Sequence, residues 1–461
     1  MLTQKQIENI LNLAMSAGAD FAEVFDENTY MQETSVTQDV VERSNLGRDN
    51  GVGIRLFKNN ECFYGFTNDK SEQKLLELTK DISKSMRGDS EAKLHVSLNH
   101  KNVFAMRPDT IYPSQMKLPD KLEPARRAVA AGMAYDPEIV RMDIKKTDYE
   151  QNVQIANSEG LWVSDTRVKT RLFIAAYAQS GSEIQSGYYG PGAMRGNDFY
   201  QDLDIEACAR RAAEQAKILV HATPCHGGQM PVVVDNGFGG LLFHEACGHS
   251  LESTGIARDA SEFCGMLGKR VASKAVTLID DGSIADEWGS LHVDDEGIET
   301  QKNTLIENGI LRGYMVDRLN GMRAGLAPTG STRRQNYRFQ PCSRMTNTYI
   351  APGTFTPEQI IGATEKGLYV KSINGGSVDP ATGEFNFNAG ECYMIENGKI
   401  TIPVRGVTLI GTGRDVLNQV DMVGKDFDLR QGYCFASSGA LFIGAGQPTV
   451  RVKNMTVGGI G

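Results

Sequence analysis

Apolar positions recur every three to four residues over 3–17, placing Ile7, Ile10, Leu11 and Ala14 on one helical face, and Gly18 and Asp20 end the pattern. The period then shortens to two. Residues 21–66 read as strands, with clear pieces at Val52–Phe57 and Cys62–Phe66 joined by a hairpin turn at Lys58–Glu61. A second helix is predicted over 71–86, with Ser71 at its cap position. Residues 95–118 are poor in apolar side chains, hold Pro108 and Pro113, and read as a connector. A helix at about 120–134, strands from 139 to 188, a turn at Tyr188–Gly192 and a long helix at about 204–220 complete this half.

The texture changes at His221–Gly228, which is the expected domain boundary. It divides the chain into an N-terminal α/β domain, residues 1–225, and a β-rich C-terminal domain, residues 226–461. Pro231–Asp235 reads as a short buried strand and Gly237–Leu251 as a helix that opens on glycines. Beyond about residue 290 strands dominate. Asn-Gly pairs at 308, 320, 374 and 397 each suit a type I′ hairpin or a helix C-cap. No repeat of fixed period appears. The expected fold class is therefore α+β, an N-terminal α/β domain followed by a β-rich C-terminal domain with a helix near its start.

Composition narrows the function. The 461 residues are 40% hydrophobic and 23% charged, ordinary for a globular protein of two or three domains. The formal net charge of -9 argues against nucleic acid or an anionic membrane as the main partner. No apolar run approaches the roughly 18 residues of a membrane span, and no secretory pattern opens the chain. Eight scattered cysteines, none in a Cys-x-x-Cys pair, fit a reducing cytoplasm better than a disulfide scaffold.

The strongest chemical signal is Phe243-His244-Glu245-Ala246-Cys247-Gly248-His249, a His-Glu-x-x-x-His motif in a chain with only seven histidines. In the related His-Glu-x-x-His pattern, two imidazoles hold zinc and the glutamate between them is the general base. The extra residue matters. On an ideal α-helix, positions i and i+5 lie about 140° apart around the axis, too far for two rings to share one ion. A wider π-type turn, or an irregular one between Ala246 and His249, is therefore predicted, helped by the permissive backbone of Gly248. A catalytic zinc needs a third protein ligand and an open position. Local chemistry alone leaves Cys247, Glu252, His292, Asp294, Asp295, Glu296 and Cys434 as candidates.

The segment Asp235–Glu252 resembles the zinc motif of the TldD/PmbA family of metallopeptidases. Asn157-Ser158-Glu159-Gly160, Asp294–Gly297, Arg344–Thr348, Gly375–Asp379, Gly446–Val452 and Gly51–Arg55 also match, so the resemblance covers nearly the whole chain. It implies that Zn²⁺ is held by His244, His249 and a cysteine near the C-terminus, here Cys434, with Glu245 as the catalytic base. A thiolate beside two neutral imidazoles leaves one net positive charge on such a site, as two histidines and a glutamate would. It also implies a catalytic, TldD-like member, because TldE-type partners lack the motif. Partners would be a peptide substrate and a second subunit, either a copy of this chain or a non-catalytic TldE-like homologue. After the cysteine the chain reads Phe435-Ala436-Ser437 where many members have Gly-Lys, so no lysine contact to substrate is carried over.

The remaining polar runs have two readings each. Arg333, Arg334, Arg338 and Arg344 could fix a peptide carboxylate or pair with acids on a sheet surface, and Arg344 is the candidate for substrate. Asp294–Glu296 could orient a histidine ligand or form a solvated turn. Gly375, Gly376 and Asp379 could present backbone to an extended substrate or form a plain hairpin. Cys247 reads as a packed thiol. The expected activity is zinc-dependent hydrolysis of short or unfolded peptides. Its alternative is a non-catalytic binding or maturation factor with a closed, structural metal site. The family's gyrase-modulator label finds no basic stripe here to support direct DNA contact.

Overall fold

A computed structural model describes residues 1–86, 96–103, 109–379 and 382–459. It is of mixed class, with 24% helix and 44% strand, so strands form the frame and helices cover it. The first helix, Gln4–Ser16, is closed by a reciprocal Thr3–Gln6 capping box and buries Ile7, Ile10, Leu11 and Ala14. It packs on a sheet whose two long hairpins, Phe21–Thr37 with Val40–Lys58 and Ile139–Asn157 with Leu161–Ser180, are antiparallel throughout.

Every residue from Phe21 to Glu27 is buried, because both faces of the sheet are covered. Val24 packs with the first helix and with Leu75 and Ile82, whereas Phe25 packs with Tyr337 and Val293 of the C-terminal half. Helices Leu118–Met133 and Ile205–His221 cover the other end of the sheet around Ile139, Met142, Leu172 and Ile174. The connector expected at 95–118 is in part a short strand, Asn99–Asn102, parallel to Leu161–Ser180. Residues 95 and 104–108 of that stretch, Pro108 included, lie outside the described residues.

Two large sheets and a two-stranded one, Thr332–Arg333 with Cys342–Ser343, build the described C-terminal half. One has ten strands and runs from Ile373–Val378 at its edge through Val450–Gly458 and Gly228–Val234. The other has six and ends on Gly439–Gln447 and Asp428–Ala436. The helical segment Gly237–Leu251 lies between them. Leu242, Phe243, Ala246 and Cys247 share one core with Val232, Val450 and Phe387 of the first sheet and Leu278, Ile350 and Ile443 of the second. The strand carrying Cys434 thus closes on the helix that carries the histidines.

Two of the four Asn-Gly pairs turn hairpins: Asn308 (φ 48°) and Asn397 (φ 52°) are left-handed, as a type I′ turn requires. The other two do not. Asn320 lies in the helix Arg318–Ala324, where the Asp317 side chain caps its N–H. Asn374 and Gly375 sit in the edge strand at a register shift. Among the described residues, no helix is long and apolar enough to cross a membrane.

Candidate metal centre

Residues His244–Gly248 form a π-turn between the α-helical Leu241–Phe243 and the 3-10 turn His249–Leu251. The wider winding brings positions i and i+5 back over one another, which the spacing demanded. The His244 and His249 rings lie edge to face, 5.4 Å apart. Gly248 has an ordinary helical φ of −58°, so backbone permissiveness is not what fixes it. A Cβ there would stand 2.0 Å from Met345 Sδ, so the glycine admits a close neighbour.

Donor atoms of His244, Glu245, His249 and Cys434 all lie within 4.8 Å of one another. Cys434 Sγ is 3.2 Å from His249 Nε2, and Glu245 Oε2 is 3.4 Å from the same nitrogen. The sulfur points inward because Cys434 alternates with the exposed Tyr433 and Phe435 along its strand. Both ring nitrogens of His244 are buried and, among the described residues, have no hydrogen-bond partner. A buried imidazole in that condition calls for another acceptor of its lone pair. Two imidazoles, a sulfur and a carboxylate are nitrogen, sulfur and oxygen donors of the kinds zinc takes, so the residues present fit that ion.

The surroundings tune the set. Burial pushes the Cys434 thiol up, but the His244 and His249 imidazoles outweigh it and bring the group down to about 5, so the sulfur is a thiolate at neutral pH. Burial pulls the His249 imidazolium down, yet Glu252, Cys434 and Glu245 more than reverse this and hold it well above the usual histidine range. Burial pushes the Glu245 carboxyl up, and the two histidines with Arg344 bring it below its ordinary value, so it rests ionised.

Two residues outside the motif tie these groups together. Glu252 Oε1 is 3.1 Å from His249 Nδ1 and 3.4 Å from Arg344 Nε. Arg344 donates from its other end to Cys434 Sγ at 3.0 Å and to Ser438 Oγ at 3.2 Å. From the sequence alone Glu252 is a candidate ligand and Arg344 a candidate substrate contact. No local signal could reveal that they meet, since 92 residues separate them (344 − 252).

The other candidates are elsewhere. Cys247 faces the core, and burial pushes its thiol well above the usual range. His292 Nδ1 is 2.7 Å from Asp165. Asp294–Glu296 are neither a solvated turn nor partners of the histidines. They are buried, with Asp295 receiving Arg167 and Glu296 receiving Arg55, and so join the two halves. Of the arginine run, Arg334 pairs with buried Glu23 at 2.6 Å and Arg338 pairs with Asp49 nearer the surface. Gly375 and Gly376 lie in the edge strand, with exposed Asp379 just beyond it; that strand packs on the π-turn.

The chain matches three consecutive domains described for the PmbA/TldA metallopeptidases: domain 1 over residues 22–86, the central domain over 111–220 and the C-terminal domain over 227–459. A metalloprotease TldD homolog of Haemophilus influenzae is 32% identical over 99% of this chain and 97% of its own length. A metalloprotease of Methanothermobacter thermautotrophicus is 34% identical over 90% of each chain. Among solved structures, TldE of Thermococcus kodakarensis superposes with a TM-score of 0.76 at 20% identity, covering 98% of this chain and 99% of its own. A protein of Thermotoga maritima described as a modulator of a DNA gyrase does so with a TM-score of 0.78, also at 20% identity, over 99% and 100%. At that identity the likeness is one of fold.

Proposed function

This chain belongs to the PmbA/TldD metallopeptidase family, and on that premise we propose that it is a zinc-dependent peptidase acting on short or unfolded peptides. The observation that carries the reading is the convergence of His244, Glu245, His249 and Cys434, with neither His244 ring nitrogen hydrogen-bonded among the described residues, so that one of them can ligate an ion. His244, His249 and Cys434 would hold it. Zinc, when bound, supplies a Lewis acid for the scissile carbonyl and brings a water towards a pKa of roughly 7.

The chain's own groups do the rest. Glu252, on His249 Nδ1, fixes the tautomer that turns Nε2 towards the thiolate. Glu245, ionised at rest, accepts the proton of the attacking water and passes it to the leaving amine. Arg344 holds the sulfur and Glu252 in register, a task of positioning the ligands rather than binding substrate. The edge strand Ile373–Val378, with Gly375 and Gly376 in it and Asp379 beyond its end, is assigned to the substrate backbone by strand addition.

We assign the site to a C-terminal unit of residues 226–461, set on an N-terminal unit of residues 1–225. The eight free cysteines suit a cytoplasmic setting. The subunit pairs with a second copy or with a TldE-like homologue. The test is a digest of unfolded peptides by zinc-loaded protein with and without chelator. Cleavage that chelator abolishes and zinc restores supports the reading; no cleavage by fully loaded protein overturns it.

A further inference from the structure

Near the metal centre lies a cavity of about 420 Å³, within the size range of small-ligand sites. Its lining includes Arg171, Arg211, Lys371 and Arg430 against a single acid, Glu391, in a chain whose net charge is -9. Two of these cations are already matched: Lys371 pairs with Glu391 at 2.8 Å and Arg430 with Asp428 at 2.5 Å. Arg171 and Arg211 make no ion pair among the described residues. Arg171 donates to the carbonyls of Gly190 and Gln431 and lies against the rings of Phe173, Trp288 and Tyr433, so in a mostly buried place its charge meets aromatic faces and carbonyls but no carboxylate. Burial accordingly pulls this guanidinium below its ordinary value. Arg211 lies over the Tyr189 ring at 5.1 Å.

The position of the cavity says which anion suits it. Lys371, Ser372, Ile373 and Asn374 of its wall open the edge strand Ile373–Val378. A peptide added antiparallel to that strand runs with its C-terminal end towards Ile373, and so into the cationic cavity. A parallel peptide would bring its ammonium there instead, which the charge disfavours. Arg430, also in the wall, is four residues from Cys434 on the same face of one strand, about 13 Å along it at roughly 3.3 Å per residue. An extended peptide bridges that span with about four residues.

We propose that this cavity binds the C-terminal carboxylate of the peptide substrate, through Arg171 and Arg211, and thereby sets both the direction in which the chain lies and its distance from the metal ligands. The assignment rests on the peptidase reading, so its test involves no cleavage. Metal-free full-length protein is titrated with a fluorescein-labelled hexapeptide bearing a free C-terminal carboxylate and with the same peptide as its C-terminal amide, and binding is read by anisotropy. The acid is expected to bind about tenfold more tightly than the amide, the scale of one charge-assisted contact. Arg211→Gln, at an exposed helix position, is expected to bring that ratio down to about threefold or less, and Arg171→Met to do the same if it folds. Equal binding of acid and amide, or an undiminished ratio in Arg211→Gln, overturns the proposal. So does displacement of the acid peptide by equimolar inorganic phosphate, which would assign the cavity to a free anion. None of these outcomes alters whether zinc-loaded protein cleaves peptides.

Discussion

Arg344 donates to Cys434 Sγ at 3.0 Å while its Nε stands 3.4 Å from the carboxylate that holds His249. One buried guanidinium thus joins the Cys434 sulfur and the His249 imidazole, which come from segments 185 residues apart. Arg344→Gln is expected to weaken zinc binding about 10–100-fold by competition with a chromophoric chelator, the usual effect of removing a ligand's outer partner. It should also raise the pH at which Cys434 reacts with iodoacetamide in the metal-free protein, since a cation beside the thiolate is lost. Arg344→Lys should not restore either property, because one ammonium cannot reach both groups. Unchanged zinc affinity and alkylation profile would reduce Arg344 to packing.

Glu245 is the group whose role separates binding from chemistry. Glu245→Gln should retain stoichiometric zinc by metal analysis and lose roughly 10²–10⁴-fold in cleavage rate. Full activity in that variant would remove its role as base.

Metal binding should depend on pH in a defined sense. Cys434, at about 5, has already lost its proton above that pH. His249 is held well above the usual histidine range in the metal-free site, so through neutrality it carries a proton that a metal must expel. Zinc affinity should therefore rise with pH, with at least one proton released per ion taken up, measurable with an indicator dye in weak buffer. Uptake without proton release would contradict this protonation pattern.

Packing behind the π-turn gives a prediction independent of the ligands. A Cβ on Gly413 would meet the Ala246 carbonyl oxygen at 1.8 Å, a backbone atom that cannot rotate away. Gly413→Ala should cost about 1–3 kcal/mol in denaturant unfolding and weaken zinc binding, because relief of the clash displaces the turn that carries both histidines. Wild-type stability and affinity would mean that the turn is not held from this side.

Much of this arrangement is legible in the chain, and what is not has physical reasons. The spacing of His244 and His249 forces a wide turn by helix arithmetic alone, and the structure has one. The hairpin at Asn59 and Asn60 is similarly plain, both residues being left-handed. Within the stretch that reads as strands, the long strand Val40–Lys58 has a clear pattern only in its second half, because residues 40–50 are exposed or half-exposed and lack alternation. Asp294–Glu296 look solvent-facing from composition, since the arginines that neutralise them, Arg55 and Arg167, lie in the other half of the chain. The same remoteness hides the Glu252–Arg344–Cys434 link. Periodicity reports what a residue's neighbours in sequence do and is blind to partners brought in by the fold.

The proposed function rests on a single ion gripped by a π-turn and a distant thiolate. X-ray absorption at the zinc edge of the purified, metal-loaded protein tests it directly. One sulfur scatterer at about 2.3 Å with two imidazole nitrogens at about 2.0–2.1 Å is expected, with loss of the sulfur shell and of stoichiometric zinc in Cys434→Ala. A zinc shell with no sulfur, or full occupancy with an unchanged spectrum in Cys434→Ala, would contradict it.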